Sequence, residues 1–232
     1  MGRKSYLELW NIALTKFIEL SHIIEDGMIT YTGLPGPVIS DHMSREASRE
    51  HYAPETMFQI GKIEMVANTG TYIDAPFHRY EAGKDLSTLD IASMANLDGL
   101  VIHVDEATRA LRPEIFNGRD VKDKAVLIHT GWSRHWGDDR YFEDHPYLIR
   151  ESAECLKSEG AVLVGIDSLN IDDNTDGTRP AHTILLGAGI PIVEHLCNLG
   201  ALPGAGFKFF AVPAPIKGMG SFPVRAFAII NP

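Results

Sequence analysis

The segment Asn68-Thr-Gly-Thr-Tyr-Ile-Asp-Ala-Pro-Phe-His78 combines a flexible glycine, a rigid proline and two chemically active side chains. Gly70 permits a backbone turn that other residues resist, and Pro76 restricts the chain as it leaves that turn. Asp74 and His78 lie four positions apart, so both can reach one metal ion or one transferred proton. A carboxylate and an imidazole on a rigid loop are typical of metal binding or general acid–base catalysis. An Asx-type turn beside a surface histidine is the alternative interpretation of the same residues.

A second group of candidate residues lies later in the chain, where Arg179-Pro-Ala-His182-Thr is followed by Glu194-His195. Residues 181–199 are predicted to form a loop and then a helix over 193–199, with His182 in the loop and Glu194 near the helix start. Carboxylate and imidazole are ligand types that zinc and manganese accept. A helix-capping glutamate and a structural histidine remain the alternative interpretation.

A third group consists of acidic residues that do not form a recognisable cation site. No glutamate closes a twelve-residue calcium-binding loop around them, so the spacing does not match an EF-hand. Carboxylates that stabilise turns are the prediction for this group, which comprises Asp167, Asp172, Asp173 and Asp176.

The charge balance limits the partners that the protein can have. The 31 acidic side chains outnumber the 21 basic ones, giving a formal net charge of −10. Because phosphate binding needs a basic surface, nucleic acid and anionic membranes are excluded as main partners. Cys155 and Cys197 are too few for a disulfide framework, and Cys197 is predicted to be a buried, inert thiol. No signal peptide or membrane span is recognised, so a cytoplasmic protein is expected.

The distribution of apolar residues predicts one α/β domain over residues 1–232, with more strands than helices. Helices are predicted over 1–16 and over 147–160, the latter ending at Gly160. A Gly- and Pro-rich surface excursion is expected over 26–58, followed by a half-buried strand over 58–66. The other predicted strands are 17–24, 101–104, 125–129, 161–166, 207–212 and 226–230.

These motifs together resemble a family of metal-dependent hydrolases that includes cyclases, kynurenine formamidases and isatin hydrolases. That family carries His-x-Gly-Thr-His-x-Asp-x-Pro-x-His, and Gly70, Thr71, Asp74, Pro76 and His78 stand in the matching places. The runs 127–132, 165–168 and 182–194 also follow the family's order. The resemblance implies a swivelling β/β/α domain with a mixed β-barrel-like core and peripheral helices. It also implies a homodimer or higher homo-oligomer acting on a small-molecule substrate.

Carried over by position, the resemblance implies that His78 is the catalytic acid–base and that Asp74, His182 and Glu194 bind a divalent ion. The family's other two ligand histidines are replaced here by Asn68 and Tyr72. An asparagine oxygen is a weak ligand, and a tyrosine must first lose a proton whose ordinary pKa is near 10. We therefore expect one zinc or manganese ion rather than two, with loss of both ions as the alternative.

Arginines near these segments are candidates for binding an acidic substrate or stabilising an oxyanion. Arg179, beside His182, is predicted to bind substrate, and so is Tyr31 in the long excursion, through its resemblance to an aromatic residue of the family. The full set of arginines considered is Arg45, Arg49, Arg79, Arg179 and Arg225.

Two functional hypotheses follow from the sequence. The first is a hydrolase of a cyclic or aryl amide, a lactone or a related carbonyl bond, in which metal-activated water attacks and His78 transfers the proton. The second is a metal-free member of the family, motivated by Asn68 and Tyr72. It would be either an enzyme that uses arginine and histidine or a small-molecule binding protein without hydrolase activity.

Overall fold

A computed structural model describes residues 15–230, in which strands outnumber helices as the sequence predicts. The strands are β1 (Lys16–Glu19), β2 (Val38–Met43), β3 (Ile60–Glu64), β4 (Tyr72–Asp74), β5 (Leu97–His103), β6 (Ala110–Leu111), β7 (Lys124–His129), β8 (Tyr147–Leu148), β9 (Leu163–Ile166), β10 (Ile192–Glu194), β11 (Ala205–Phe210), β12 (Ser221–Pro223) and β13 (Phe227–Ile230). The α-helices are α1 (Arg45–Ser48), α2 (Arg150–Glu159) and α3 (Pro180–Gly187). Among these described residues, no helix combines the length and apolar composition needed to cross a membrane.

Nine of the strands form one mixed sheet in the order β1-β13-β11-β5-β7-β9-β10-β4-β12. The four central strands β5, β7, β9 and β10 run parallel, and the strands on either side of them pair antiparallel. The sheet curls into a half-barrel with few helices. The predicted α/β class with a barrel-like core is therefore confirmed.

The central strands are apolar because both faces of the sheet are covered. On one face, Val126 and Ile128 of β7 pack with Leu156 of α2 and Leu185 of α3. On the other face, Leu127 belongs to a second cluster with residues from both flanks of the sheet. Because neighbouring residues of a strand point to opposite faces, a continuous apolar run such as 125–128 fills both clusters at once.

The predicted helix over 147–160 is present as α2, which begins slightly later, at Arg150. Ala153 and Leu156 are its buried apolar residues, in agreement with the helical spacing. Gly160 ends the helix with a φ of +83°, a conformation that glycine adopts without steric cost. Cys197 is buried, as predicted, while Cys155 on α2 is partly exposed.

The prediction for residues 181–199 is wrong, because a helix precedes a strand there. α3 starts at Pro180, which suits a first helical turn because its missing N–H needs no partner. Gly189, with a φ of +77°, separates α3 from β10. β10 is fully buried between β9 and β4, so Glu194 ends a strand instead of starting a helix, and His182 lies on a helix.

Residues 26–58 are not the uniform loop that was expected, since they contain β2 and α1. β2 pairs antiparallel with β3 in a separate two-stranded sheet, named here the hairpin arm (Val38–Met43 and Ile60–Glu64). Every residue of β3 is exposed, so the prediction of a half-buried strand over 58–66 is wrong about burial. The helix expected over 1–16 falls outside the described residues, apart from its last two positions, and Lys16 already belongs to β1.

Candidate active site

The motif at 68–78 contains the short buried strand β4 and the turns on either side of it. Gly70 has a φ of +64°, and an added Cβ there would lie 3.0 Å from Ile24 Cγ1. After the strand, Ala75 is extended and Pro76 opens a short 3-10 turn that ends at His78. The His78 N–H donates to the Ala75 carbonyl at 2.8 Å. The glycine and the proline thus place Asp74 on the strand and His78 just beyond it.

Strand register brings four polar side chains together on one face of the sheet. Tyr72 and Asp74 are two residues apart on β4 and therefore share a face. Glu194 of β10 lies directly opposite Tyr72, and Ser221 of β12 lies directly opposite Asp74. Directly opposed residues have side chains close enough to interact, so the sheet itself builds this polar cluster.

Asp74 is fully buried at the centre of the cluster. Its Oδ1 accepts a hydrogen bond from the Ser221 hydroxyl, whereas Oδ2 has no hydrogen-bond partner and lies 3.5 Å from His182 Nε2. Burial opposes ionisation of this carboxyl, but His182, His78 and Ser221 outweigh burial and hold its pKa below the ordinary value. Asp74 is not the Asx-turn residue of the alternative interpretation, because its bonded partner lies on another strand.

His182 is held in position by a carboxylate that the sequence assigned only to a turn. Its Nδ1 donates to Asp172 Oδ2 at 2.7 Å, and Asp172 also accepts the backbone N–H groups of Ala181 and His182. The free Nε2 lies 3.5 Å from Asp74 Oδ2 and 3.7 Å from Glu194 Oε1. Burial lowers the pKa of His182, but the surrounding carboxylates prevail and raise it to about 10. His182 therefore carries a positive charge between two buried carboxylates when no metal ion is bound.

Glu194 has hydrogen-bond partners on both oxygens. Oε1 accepts from the Ile171 N–H at 2.7 Å, and Oε2 accepts from the Tyr72 hydroxyl at 2.5 Å and from Asn170 Nδ2 at 3.4 Å. Burial raises the pKa of Glu194 to about 7, although His182 opposes the shift. Burial and the nearby Glu194 also raise the pKa of Tyr72, so Tyr72 is a neutral phenol that donates.

His78 lies at the edge of this cluster and is partly open to solvent, with 38% of its side chain exposed. Its Nδ1 is 2.8 Å from Ser221 Oγ. One ligand atom each from Asp74, His78 and His182 lie within 4.8 Å of one another, and Glu194 is not part of that group. The structure therefore brings together three of the four predicted residues most closely, with Glu194 contacting the group through His182.

The buried donor atoms of Asp74 and His182 fit a divalent ion. Asp74 Oδ2 is a buried oxygen without a partner, and His182 Nε2 is free because a carboxylate holds Nδ1, an arrangement common among metal-binding histidines. Oxygen and imidazole nitrogen suit zinc and manganese. Of the two residues predicted to stand in place of ligand histidines, Asn68 offers a neutral amide, and Tyr72 uses its proton to bond Glu194.

Four residues of the cluster, Tyr72, His78, His182 and Glu194, line a cavity of about 390 Å³. Arg179 and Arg79 line it, and Arg179 Nη2 donates to the Tyr31 hydroxyl at 3.4 Å. Arg45, Arg49 and Arg225 do not line it, and Arg225 pairs with Glu19 on the surface. The complete lining is Tyr31, Thr32, Gly33, Leu34, Asn68, Tyr72, His78, Arg79, Asn170, Arg179, His182 and Glu194.

The sequence did not indicate that Ser221, Asn170 and Asp172 hold the residues of the site in place. Ser221 meets Asp74 only through strand pairing near the end of the chain, which no local pattern reveals. Asn170 bonds both Glu194 and Arg179. Asp172 holds His182, whereas Asp173 and Asp176 stabilise turns, as predicted for the whole acidic group. The buried Asp167 accepts hydrogen bonds from Thr130 and Gly131 outside the cavity.

The fully buried His195, next to Glu194, and the half-buried His22 predict a loss of stability in acid. Burial lowers the pKa of His22 to about 4 and that of His195 to about 3, and the Nε2 atoms of both lack partners. Because these folded pKa values lie below the unfolded value, the unfolded chain binds more protons as the pH falls below about 6.5. We expect the free energy of unfolding to fall by on the order of 6 kcal/mol between pH 7 and about 4, about half of it from each histidine.

Urea unfolding followed at several pH values measures this loss. His195→Asn should reduce the pH dependence, because asparagine tolerates the φ of +56° at that position and does not titrate there. The exposed His42→Asn is the control and should leave the pH dependence unchanged. An unchanged pH dependence in His195→Asn would contradict the assignment.

The chain is similar in sequence and in fold to known proteins of one family. The sequence profile of the cyclase family, described as "Putative cyclase", matches residues 18–173. The kynurenine formamidase of Geobacillus thermodenitrificans is 33% identical over 180 residues, which cover 77% of this chain and 84% of that protein. The crystal structure of an isatin hydrolase bound to the product analogue thioisatinate superposes with a TM-score of 0.82 at 20% identity, over 100% of both chains. A structure described as a potential metal-dependent hydrolase with cyclase activity gives a TM-score of 0.77 at 22% identity, over 94% of this chain and 100% of that one.

Proposed function

The chain belongs to the cyclase family, and from this membership we propose that it hydrolyses a small amide or a related carbonyl bond, including cyclic and aryl amides and lactones. The observation that carries the proposal is the convergence of Asp74, His182 and His78 beside the cavity that the two histidines line. Kynurenine formamidases and isatin hydrolases, which the chain resembles in sequence and fold respectively, are named for the hydrolysis of such bonds.

We propose that one zinc or manganese ion binds between Asp74, His182 and Glu194. When bound, such an ion polarises a carbonyl oxygen and lowers the pKa of water. Asp172 fixes the His182 ring so that Nε2 faces the other two residues. Tyr72 and the Ile171 N–H hold the Glu194 carboxylate in place. These hydrogen bonds keep the proposed ligands oriented before substrate enters.

His78 is proposed to take a proton from the attacking water and to deliver it to the leaving group. The Ser221 hydroxyl has one proton, which it donates to Asp74 Oδ1, so Ser221 Oγ accepts from His78 Nδ1–H. This hydrogen-bond network assigns the tautomer. Nε2 of His78 then carries the lone pair, as a general base requires. Asp74 thus orients the base through Ser221.

A metal-free family member is the second candidate function, and a specific observation favours it. The raised pKa of His182 makes it an imidazolium in the absence of an ion, and that positive charge compensates the buried Asp74 and Glu194. Tyr72, bonded to Glu194, occupies a position where the family has a metal-binding histidine. Such a protein would either act through His78 and the arginines or bind a small molecule without hydrolysing it.

Assays on formanilide and phenyl acetate test the proposed activity and separate the two candidates. Protein supplied with zinc or manganese is expected to hydrolyse at least one of these compounds and to lose the activity on chelation. Activity that persists after complete removal of metal supports the metal-free enzyme. Absence of turnover under all conditions, together with binding of the intact compound, supports the binding protein.

We further propose that the protein is a homodimer or a higher homo-oligomer, joined through the hairpin arm. Ile39 and Ile63 lie directly opposite each other on the arm, and each side chain is nearly half exposed. An isolated two-stranded sheet is marginally stable in water, and exposed apolar surface of this kind favours association. Phe58 and Ile60 are exposed apolar residues of the same segment.

The double variant Ile39→Glu/Ile63→Glu is expected to reduce the solution mass to that of one chain, 25.6 kDa, because charge repels a second apolar surface. Light scattering coupled to size-exclusion chromatography measures the mass. Ile91→Glu, at another exposed isoleucine, is the control and should leave the mass unchanged. An oligomer that survives in the double variant would place the interface elsewhere.

A further inference from the structure

The turn that carries His78, named here the His78 turn (75–78), is contacted by two segments that Asp85 ties together. One is the Asp85 loop (83–88), and the other is the Gly220 segment (218–221). We propose that Asp85 is a positioning residue, which fixes the His78 ring by joining these two segments. Its effect on the reaction rate rests on the proposed function, in which His78 is the base, whereas the tie between the segments does not.

The Gly220 segment packs directly against the His78 turn. The Gly220 carbonyl accepts the Ala75 N–H at 2.7 Å. A Cβ added at Gly220 would overlap the backbone N and Cα of His78, so only glycine allows this close approach. The next residue, Ser221, bonds both Asp74 and His78. The position of the Gly220 segment therefore decides where the His78 ring lies relative to Asp74.

The Asp85 loop contacts the same turn through different residues. The Lys84 carbonyl accepts the Phe77 N–H at 3.0 Å. A Cβ added at Gly83 would lie 2.7 Å from the carbonyl carbon of Pro76, so the two backbones touch there as well. The His78 turn is thus held by backbone contacts from two separate stretches of the chain. Its geometry depends on how those two stretches are placed relative to each other.

The Asp85 carboxylate joins the two segments. Its Oδ2 accepts the Gly218 N–H at 2.7 Å. Its Oδ1 accepts hydrogen bonds within the loop, from the N–H and hydroxyl of Ser87 at 3.1 and 2.8 Å and from those of Thr88 at 3.0 and 2.8 Å. One oxygen therefore shapes the Asp85 loop, and the other anchors the Gly220 segment to it.

A second hydrogen bond joins the same segments, from the Leu86 N–H to the Met219 carbonyl at 3.0 Å. The carboxylate bond is the stronger of the two because its acceptor is charged. The pKa of Asp85 is held well below its usual range, chiefly by the Gly218 N–H, so the charge is present at neutral pH. Asp85 lines no part of the cavity of about 390 Å³. It therefore acts on the reaction through the backbone and not by touching substrate.

Asp85→Asn breaks the bond to Gly218 and preserves the loop. Asparagine has one acceptor oxygen, which the donors of Ser87 and Thr88 hold, so its NH2 group meets the Gly218 N–H, another donor. The assay uses metal-supplied protein and whichever of formanilide and phenyl acetate the wild type hydrolyses. We expect kcat to fall by about 10- to 100-fold, because the His78 ring is displaced from the geometry of proton transfer. KM and metal content should stay within about twofold of wild type, because the cavity wall and the proposed ligands are unchanged.

Asp85→Glu keeps both carboxylate oxygens and should recover part of the kcat. The matched control is Asp105→Asn, at an exposed carboxylate that accepts the Ala107 N–H at 2.9 Å within its own turn. That control should leave kcat within about twofold of wild type, because it ties no other segment to its turn. An equal loss of kcat in the control would overturn the inference, and so would an unchanged kcat or a lost ion in Asp85→Asn.

Hydrogen–deuterium exchange, followed by mass spectrometry on peptides that span 72–80 and 216–222, tests the tie without turnover. In Asp85→Asn, amides in both peptides are expected to exchange at least about fivefold faster than in the wild type, because the Gly220 segment holds the Ala75 N–H less firmly. Peptides from β7 should be unchanged. Equal exchange over 72–80 in the variant and the wild type would overturn the inference whatever the kcat. If the wild type hydrolyses neither compound but the faster exchange is found, the proposed hydrolysis fails and the positioning of the His78 turn by Asp85 stands.

Discussion

Replacing Asp74 with asparagine is expected to lower kcat/KM by at least about a thousandfold. Asp74 is fully buried, and each of its oxygens has a separate proposed task. Oδ2 faces His182 Nε2 and lacks any hydrogen-bond partner, as expected for a metal ligand. Oδ1 fixes the Ser221 hydroxyl, which in turn orients His78. Asparagine removes the charge and keeps only the shape.

Steady-state hydrolysis of formanilide by metal-supplied protein measures this loss. Asp98→Asn is the matched control, because Asp98 pairs with Lys208 on the surface and lies outside the cavity. That control should keep its activity within about twofold, as expected when an exposed ion pair is removed. A loss smaller than about tenfold in Asp74→Asn would show that Asp74 is not part of the reaction centre.

His78→Gln is expected to lower kcat by about 10²- to 10⁴-fold while the protein keeps its metal ion. Glutamine fills a similar space but cannot take up the proton from the attacking water. His78 lies within 4.8 Å of Asp74 and His182, which is close enough for a metal ligand. Retention of the ion in His78→Gln therefore shows that His78 is a base and not a ligand. Measuring kcat and metal content in the same preparation separates these two roles.

Glu194→Gln is the partner variant for that experiment. If Glu194 is a ligand and His78 is the base, Glu194→Gln loses the ion, whereas His78→Gln loses only the rate. The reverse result, with the ion lost in His78→Gln and retained in Glu194→Gln, would exchange the two assignments. In that case the three residues that the structure brings closest, Asp74, His78 and His182, would form the metal site.

The sequence predicted those features of the site that depend on local backbone rules. The turn at Gly70 and the rigid exit at Pro76 follow from the conformational limits of those residues, and the structure has both. The central strands were predicted because continuous apolar runs are typical of strands buried on both faces. Gly160 ended α2 for the same local reason that glycine ends many helices.

The features that the sequence did not predict depend on contacts between distant segments. The run that ends at Glu194 is apolar at every position from 190 to 193, and periodicity alone does not distinguish a buried strand from a buried helix. Pairing with β4 and β9 decides in favour of the strand. Ser221 lies opposite Asp74 only because β12 joins the edge of the sheet beside β4.

Asn68 and Tyr72 are the residues on which the proposal of a single ion depends. The resemblance to the family implies that Asn68 and Tyr72 replace two ligand histidines. The structure adds that the Tyr72 hydroxyl donates to Glu194 at 2.5 Å and that Tyr72 has a raised pKa. A neutral phenol that gives its proton to a carboxylate is a structural support rather than a ligand. The Tyr72 hydroxyl therefore holds the Glu194 carboxylate beside His182.

The number of divalent ions bound per chain tests the single-ion site most directly. Protein incubated with zinc or manganese and freed of loosely bound metal is analysed by inductively coupled plasma mass spectrometry, beside the double variant Asn68→His/Tyr72→His. We predict about one ion per wild-type chain and about two per chain in the double variant, because the two histidines restore the missing ligands. Two ions in the wild type, or fewer than about 0.1 per chain, would contradict a single-ion centre at Asp74 and His182.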